Sequence, residues 1–335
     1  MNIITDYDRE VYEKELRDFL PKKIIDCHTH VCLDEFYTGG EILRGAAWWF
    51  NVGYQYTCED LIEFYRDFFP GKTVTPVIFS NLSNTDISRS NSYVSEQGKK
   101  HGFPRLFATH PDMPAEELEA AFDAGFAGIK PYLCFAPRYI PENEIRIFDF
   151  LTREHLAAAN RRKTIVMLHI PRGGRLRDPV NIEQLLEIEE KYPDAKIIVA
   201  HVGRAYAPED IGDAFERLSV TKRMMFDFSA NTLEEAIRGA IKTFGPKRVM
   251  FGSDLSIAVM RMRRISEEGN YINIVPPGLY GDLTGVAHMR ESSPDERLTL
   301  FIYEIIRSAK RAMEGCSAED ARDVFYNNAR ELFGL

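Results

Sequence analysis

Eight short β-rich runs alternate with amphipathic segments along this 335-residue chain, and this alternation limits the possible folds. The runs occupy 24–30, 73–80, 105–111, 127–132, 164–170, 196–203, 223–230 and 248–254. They are largely apolar rather than alternating, which is typical of parallel strands covered by helices. Eight strand–helix units in series predict a (β/α)₈ TIM barrel of the α/β class. The alternative is an open doubly wound sheet, but no glycine-rich turn follows the first run.

Two connections are too long to be simple loops. They are residues 31–56 after the first strand and 255–294 after the eighth, and both contain aromatic residues. Long ordered connections in compact domains usually carry function, and both leave the C-terminal face of the predicted barrel. Residues 295–335 predict closing helices. We therefore expect a single barrel domain over 1–335, with these two segments as insertions.

Metal-binding and titratable residues fall at the predicted strand ends. His28 and His30 end the first strand and share one face, because side chains alternate along a strand. The other strand ends carry His110, Lys130, His169, His201 and Asp254. Polar groups that end core strands are costly without partners, so this placement predicts convergence on a metal ion. Solvated histidines in a turn are the alternative for the first pair alone.

The composition excludes several classes of protein. The net charge of -9 argues against general nucleic-acid binding, which needs a basic surface. No apolar run approaches the roughly 20 residues of a membrane span, and the first residues lack the features of a signal peptide. The five cysteines have no paired C-x-x-C spacing, so we expect reduced thiols and a cytoplasmic protein.

The ordered set of strand-end motifs resembles the metal-dependent amidohydrolase superfamily, in its amidohydrolase 2 branch. The matching stretches are IIDCHTHV, AGIKPY, MLHIP, IIVAHVGR and VMFGSD, with NNARELFGL at the end. The resemblance implies one divalent ion held by His28, His30, His169 and Asp254. Zinc suits such a nitrogen-rich set, with manganese or iron as alternatives. It also implies that His201 acts beside the ion, or binds it if there are two.

Lys130 leaves a choice open. In some amidohydrolases a lysine at the end of strand four is carboxylated and bridges two metals. We favour a single ion, with Lys130 as an uncarboxylated charge in the pocket.

The family includes hydrolases and non-oxidative decarboxylases, so the resemblance implies two activities. We expect a hydrolase in which metal-bound hydroxide attacks an ester, lactone or amide of a small carboxylated substrate. Asp254 would move the proton, and His201 would hydrogen-bond the substrate oxygen as it gains negative charge. The alternative is a decarboxylase of an aromatic or muconate-type acid. A barrel that binds metal or ligand without catalysis is a minor alternative.

Several residues outside the metal set are candidates for substrate binding. Arg172 and Arg204 lie nearest the histidines among five arginines beyond the strand ends, and guanidinium groups suit an anionic substrate. The remaining candidates are Lys130, Trp48, His110 and His288. Solvated loops, loop packing or a buried structural histidine are the alternatives for these residues. The apolar segment 296–307 would also permit a homodimer.

Overall fold

The structure, a computed structural model, describes residues 3–39, 55–80 and 85–335. Each of the eight predicted runs contains a strand, as the sequence predicts. The barrel strands are β1 (Lys23–Val31), β2 (Thr73–Ser80), β3 (Leu106–Thr109), β4 (Gly128–Pro131), β5 (Ile165–Leu168), β6 (Lys196–Val199), β7 (Met225–Asp227) and β8 (Val249–Met250). All neighbouring pairs are parallel, with β1 on β2 and the order β3-β4-β5-β6-β7-β8 in the larger sheet.

Backbone hydrogen bonds join these two sheets into a closed ring. Between β2 and β3, the Ile78 N–H donates to the Pro104 carbonyl at 3.0 Å. Between β1 and the segment after β8, Cys27 donates to Phe251 at 3.1 Å, and Asp254 donates to His28 at 2.9 Å. The protein is therefore the (β/α)₈ barrel predicted from the sequence, and its seam lies beside His28 and Asp254.

Helices cover the outside of the barrel. They are α1 (Asp6–Val11), α2 (Cys58–Phe68), α3 (Ile87–His101), α4 (Ala115–Asp123), α5 (Arg153–Arg162), α6 (Pro179–Lys191), α7 (Ala214–Leu218), α8 (Glu234–Phe244), α9 (Phe301–Ala312), α10 (Ala318–Arg322) and α11 (Asn328–Phe333). Thr57 caps α2 by exchanging hydrogen bonds with Asp60, and the two residues form a capping box. No helix in the described ranges is both long and apolar enough to cross a bilayer.

Inside the ring, alternate apolar residues of the strands form a core of their own. Ile25 and Cys27 from β1 pack there with Val77 and Phe79 from β2. The C-terminal helix contributes Ala329 to the same cluster. Because side chains fill the interior of the barrel, a site cannot lie there. The rim at the C-terminal ends of the strands remains as the place for a site.

The insertion after β8 contains a small sheet. Its strands are β9 (Arg263–Glu267), β10 (Asn270–Val275) and β11 (Met289–Glu291), in the order β11-β10-β9. β9 and β10 form an antiparallel hairpin. Of the insertion after β1, residues 40–54 lie outside the described residues.

The apolar segment that suggested a homodimer is used within the chain. Phe301, Ile302, Tyr303, Ile305 and Ile306 on α9 are all buried against the rest of the protein. The sequence-based reason for a homodimer therefore disappears.

Candidate metal centre

The C-terminal ends of the strands bring the predicted residues to one rim. His28 and His30 lie on β1, and both rings pack against Phe79 of β2, at 5.1 and 4.7 Å between centroids. Lys130 lies on β4, and His169 directly follows β5. The expectation that strands six to eight extend to His201, Ala230 and Asp254 is wrong, because β6, β7 and β8 end earlier. These residues lie instead in the turns that leave the strands.

Within the described residues, His28, His201 and Asp254 form a group that could hold a metal ion. Each offers one ligand atom, and these atoms lie within 4.8 Å of one another. All three residues are buried, with His28 only 1% exposed. The three residues are distant in sequence, so closure of the barrel brings them together.

His30 and His169 flank this group. The His30 Nε2 lies 3.0 Å from Asp254 Oδ1, and the same oxygen lies 3.5 Å from the Nε2 of His28. The His169 ring lies 5.1 Å from that of His201 between centroids, outside the group. The Nδ1 of His169 is buried and has no hydrogen-bond partner among the described residues.

Hydrogen bonds fix the proton positions on three of the imidazoles. Each Nδ1 faces an oxygen acceptor: Asp227 Oδ2 at 3.1 Å from His28, the Ser80 carbonyl at 3.1 Å from His30, and the Ser229 carbonyl at 2.8 Å from His201. A carbonyl or carboxylate only accepts, so each Nδ1 carries the hydrogen. The Nε2 lone pair of each neutral ring is then available to a metal, an arrangement typical of histidine ligands.

Burial keeps the imidazoles of His28, His201 and His169 uncharged. Desolvation, followed by the charge of Lys130, lowers the pKa of His28 to about 3. Desolvation also lowers the pKa of His201, and it holds that of His169 well below its ordinary value, with Arg204 adding to the effect. Neutral imidazoles at neutral pH are the form that binds metal.

Asp254 is ionised despite its burial. Desolvation acts to raise its pKa, but the close contact of its carboxylate with His30 and the proximity of His201 and His28 hold the pKa below its ordinary value. A carboxylate oxygen that faces the lone pairs of neutral imidazoles needs a cation between them. The donor set therefore fits a divalent ion, and its nitrogen-rich composition favours zinc.

Lys130 is buried beside the same group. Its Nζ lies 3.4 Å from His28 Nε2, and its ammonium faces the rings of Phe79 and Tyr132. Desolvation lowers the pKa of Lys130 to about 8, against the opposing fields of Asp227 and Asp254. The ammonium is thus a cation at the floor of the pocket.

Asp227 and Ser229 belong to the centre, although the sequence analysis did not single them out. Asp227 ends β7 and is fully buried. Its Oδ2 accepts from His28, and its Oδ1 accepts from the backbone N–H of His201 at 3.0 Å. The Ser229 hydroxyl donates to Asp227 and lies 3.1 Å from His28 Nδ1 and 2.9 Å from His201 Nδ1. The signal was present, since Asp227 is a polar residue at the end of a core strand.

Left-handed backbone concentrates at this rim. Positive φ angles occur at Arg172, Arg175, His201, Val202, Arg204, Ala230 and Asp254, which all follow β5 to β8. Such conformations cost about 1–2 kcal/mol per non-glycine residue, so the surrounding contacts must hold them. Gly252 permits close packing here, because a Cβ at this position would lie 2.8 Å from His28 Cβ.

Most of the predicted substrate contacts have other partners. Arg172 Nε donates to Asp178 at 3.0 Å, and Arg204 donates to the carbonyls of Ile170 and Arg172. The His110 ring packs against Phe135, 4.8 Å between centroids, and within the described residues it makes no hydrogen bond or ring contact with the metal group. Trp48 lies outside the described residues.

His288 from the late insertion reaches the edge of the pocket. Its ring stacks on Tyr271 at 4.5 Å, and Tyr271 packs edge-on against Tyr206 at 5.1 Å. Tyr206 lies 6.4 Å from the His201 ring. An aromatic layer therefore separates His288 from the metal group.

Solved structures with the same fold include amidohydrolases with bound metals. An amidohydrolase from Burkholderia multivorans with bound zinc has 13% sequence identity and a TM-score of 0.60, over 93% of this chain and 99% of that chain. A 5-carboxyvanillate decarboxylase from Novosphingobium aromaticivorans, with bound manganese and 3-methoxy-4-hydroxy-5-nitrobenzoic acid, has 14% identity and a TM-score of 0.56, over 94% and 97%.

A third similar structure is a probable 2-pyrone-4,6-dicarboxylic acid hydrolase from Acinetobacter baumannii, with citric acid bound. It has 14% identity and a TM-score of 0.58, over 93% of this chain and 99% of that chain. At these identities the likeness shows the barrel fold. No curated protein matches the chain in sequence.

The family described as amidohydrolase matches residues 25–335, which include every barrel strand apart from the first residues of β1. The chain is therefore an enzyme of the amidohydrolase family.

Proposed function

We propose that the protein is a metal-dependent hydrolase that cleaves an ester, lactone or amide bond of a small carboxylated substrate. The observation that carries this proposal is the position of Asp254. Its ionised carboxylate contacts His30 and lies beside His28 and His201 in one buried group. An anionic proton acceptor among neutral imidazoles suits the activation of water.

His28, His30 and Asp254 would hold one divalent ion, together with either His169 or His201. Zinc is the first expectation, with manganese or iron as alternatives. When bound, such an ion lowers the pKa of water and polarises a substrate carbonyl. One histidine then remains for proton transfer or substrate contact, because the ion needs a position for water or substrate besides the donors that hold it.

Asp254 would accept the proton of the attacking water and return it to the leaving group. In the hydrogen-bonded arrangement, His201 presents a lone pair at Nε2, because its Nδ1–H donates to the Ser229 carbonyl. To act as the predicted hydrogen-bond donor to a substrate oxygen, His201 must first take a proton at Nε2. Asp227, through the hydroxyl of Ser229 and the backbone of His201, is placed to hold the ring while it does so.

A decarboxylase is the second candidate, favoured by Lys130. A buried ammonium 3.4 Å from His28 Nε2 can hold a carboxylate or phenolate oxygen beside the metal position. Asp254 would then take up a proton from a water molecule and deliver it to the carbon that loses carbon dioxide. Both candidates use a small anionic substrate.

The test is an activity screen on the purified protein with zinc or manganese, with and without a chelator. If the protein is the proposed hydrolase, we expect it to release acid from carboxylated lactones, esters or amides. A chelator should abolish this activity. Carbon dioxide release from hydroxybenzoates, without activity on lactones, would favour the second candidate.

The roles of His169 and His201 are separated by metal content. We expect His201→Asn to keep its metal and lose activity at least about 100-fold, as for a proton-transfer residue. We expect His169→Asn to lose metal. Full activity in metal-replete His201→Asn would contradict the assignment, and the reverse pattern of metal loss would exchange the two roles.

Two further predictions accompany this proposal. The chain would act as one domain over 1–335, and it would act in the cytoplasm, where its thiols stay reduced. The five cysteines form no disulfide. A single proteolysis-resistant fragment supports the first prediction, and cell fractionation tests the second.

A further inference from the structure

Arg264, on strand β9 of the late insertion, carries a guanidinium that is enclosed by aromatic rings. The rings of Tyr206, Tyr271 and Phe301 lie 4.8, 4.7 and 4.8 Å from its central carbon. Its Nε donates to Asn273 Oδ1 at 2.8 Å, and its Nη1 donates to the Ala230 carbonyl. The group is thus held in one position by neutral partners.

No carboxylate within the described ranges forms an ion pair with Arg264. A guanidinium has five N–H donors, and the two hydrogen bonds above leave three without a partner in those ranges. Arg264 is partly buried, and this desolvation lowers its pKa. A charge withdrawn from water without a counter-ion is costly, so an anion that binds there would gain strongly.

The neighbouring arginines are already engaged. Arg175 faces the same tyrosine rings, but its Nη1 lies 2.6 Å from Asp210 Oδ2. Arg172 is paired with Asp178 at 3.0 Å. Arg264 is therefore the arginine of this aromatic cluster whose charge remains available.

The position of Arg264 relates it to the metal group. Tyr206 contacts Arg264 on one side and lies 6.4 Å from the ring of His201 on the other. Asp254 also acts on the charge of Arg264. Arg264 is thus separated from the metal group by one aromatic residue, Tyr206.

We propose that Arg264 binds a carboxylate of the substrate that does not itself react, so that the enzyme selects organic acids bearing an anionic group remote from the metal. The inference rests on the proposed function for the position of the reacting end. The planar guanidinium edge would donate hydrogen bonds to the two oxygens of one carboxylate, while Tyr206 and Tyr271 flank it. For a decarboxylase the substrate is then a diacid, and for a hydrolase it is an acid that also carries the ester, lactone or amide.

The test compares binding of a diacid and a matched monoacid to the zinc-loaded protein by calorimetry. Two probe pairs are benzene-1,3-dicarboxylate with benzoate, and glutarate with butyrate. We expect the native protein to bind the diacid of at least one pair about tenfold or more tighter than the monoacid. Arg264→Gln should reduce this ratio to about one, because the second carboxylate loses its partner. Arg264→Lys should give an intermediate ratio, since it keeps the charge but not the planar edge.

Arg263→Gln is the matched control, because Arg263 lies on the same strand and pairs with Glu296 on the exposed surface at 2.7 Å. It should leave the ratio unchanged. If Arg264→Gln does not fold, Arg264→Lys decides the question. A diacid preference that is undiminished in the folded Arg264 variant, or that is absent from the native protein in both pairs, would overturn the inference.

Binding is measured without turnover, so the two proposals fail separately. A protein that binds diacids through Arg264 but cleaves none of the screened substrates would contradict only the proposed function.

Discussion

Asp227 connects two histidines of the candidate metal centre through different parts of their structure. One oxygen fixes the ring of His28 by accepting from its Nδ1–H, and the other fixes the backbone of His201. Desolvation acts to raise the pKa of Asp227, but its contact and hydrogen bond with His28, together with the neighbouring His201 and Ser229, hold the pKa below its ordinary range. The carboxylate is therefore an acceptor at both oxygens under neutral conditions.

We expect Asp227→Asn to weaken zinc binding by about 10- to 100-fold, the usual effect of changing a group that orients a histidine ligand. An amide has one accepting oxygen, so either the His28 ring or the His201 backbone loses its acceptor. If the amide NH₂ faces His28, it favours a proton at Nε2, where the metal would bind. Competition with a chromophoric chelator measures the affinity.

Asp323→Asn is the control for this substitution, because Asp323 is equally buried but bonds to Asn327 and Lys247, away from the rim. It should leave zinc affinity unchanged. Unaltered zinc affinity in folded Asp227→Asn would show that His28 does not depend on this acceptor.

The elements of the barrel follow from hydrophobic pattern, while the turns that complete the site do not. The strands containing His28 and Lys130 can be predicted from the sequence, because an apolar run precedes the polar residue in each. The positive φ of Val202 cannot be predicted from the sequence, since a β-branched residue gives no local signal for a left-handed backbone. It is imposed by the tertiary contacts around His201.

The hairpin that carries Arg264 was also missed, for a local reason. Glu268 and Gly269 form its two-residue turn, and both have positive φ. Such turns are most recognisable as Asn-Gly or Asp-Gly, and Glu-Gly is a weaker signal. Because β9 and β10 lie outside the β/α alternation, the rule of polar residues at strand ends could not indicate Arg264.

Helix α1 is tied to both ends of the late insertion through Asp8. Its carboxylate receives two hydrogen bonds from Arg261, at 2.9 and 2.6 Å, and one from Thr299 at 2.7 Å. We expect Asp8→Asn to lower the free energy of unfolding by about 3 kcal/mol, because it leaves a buried guanidinium without its charge partner. Urea denaturation measures the loss.

The same carboxylate gives the stability a dependence on pH. Burial opposes its ionisation, but the hydrogen bonds from Arg261 and Thr299 hold the pKa of Asp8 below its ordinary value. The stabilisation from ionised Asp8 is present above the pKa that this residue has in the unfolded chain, and it is lost as the pH falls through the folded pKa. Asp8→Asn should therefore reduce the dependence of the free energy of unfolding on pH in the acid range. Asp6→Asn, which removes an exposed pair with Arg9, should change stability by less than about 0.5 kcal/mol. Equal effects of the two variants would contradict this account.

At the scale of the whole molecule, the candidate centre spans the seam that closes the barrel. His28 lies on the first strand and Asp254 follows the last, and the backbone of Asp254 donates to the carbonyl of His28 at 2.9 Å. A metal held by both residues would add a second link across the same seam. Metal binding and global stability should therefore be coupled.

Removal of the metal should lower the melting temperature of the whole protein. A ligand present at 100 times its Kd stabilises the native state by about 2.7 kcal/mol, which corresponds to about 4 °C in a chain of this size. Differential scanning calorimetry before and after dialysis against a chelator measures the shift, and elemental analysis gives the stoichiometry.

Because zinc would bridge the first and last strands, re-addition of zinc should restore the melting temperature of the native protein. It should do the same in the control variant His101→Asn, which changes a histidine on helix α3. His30→Asn should show a smaller shift, since it removes a donor that faces Asp254. An unchanged melting temperature after complete loss of one ion per chain would show that the metal does not link the seam, and two ions per chain would instead favour a carboxylated Lys130.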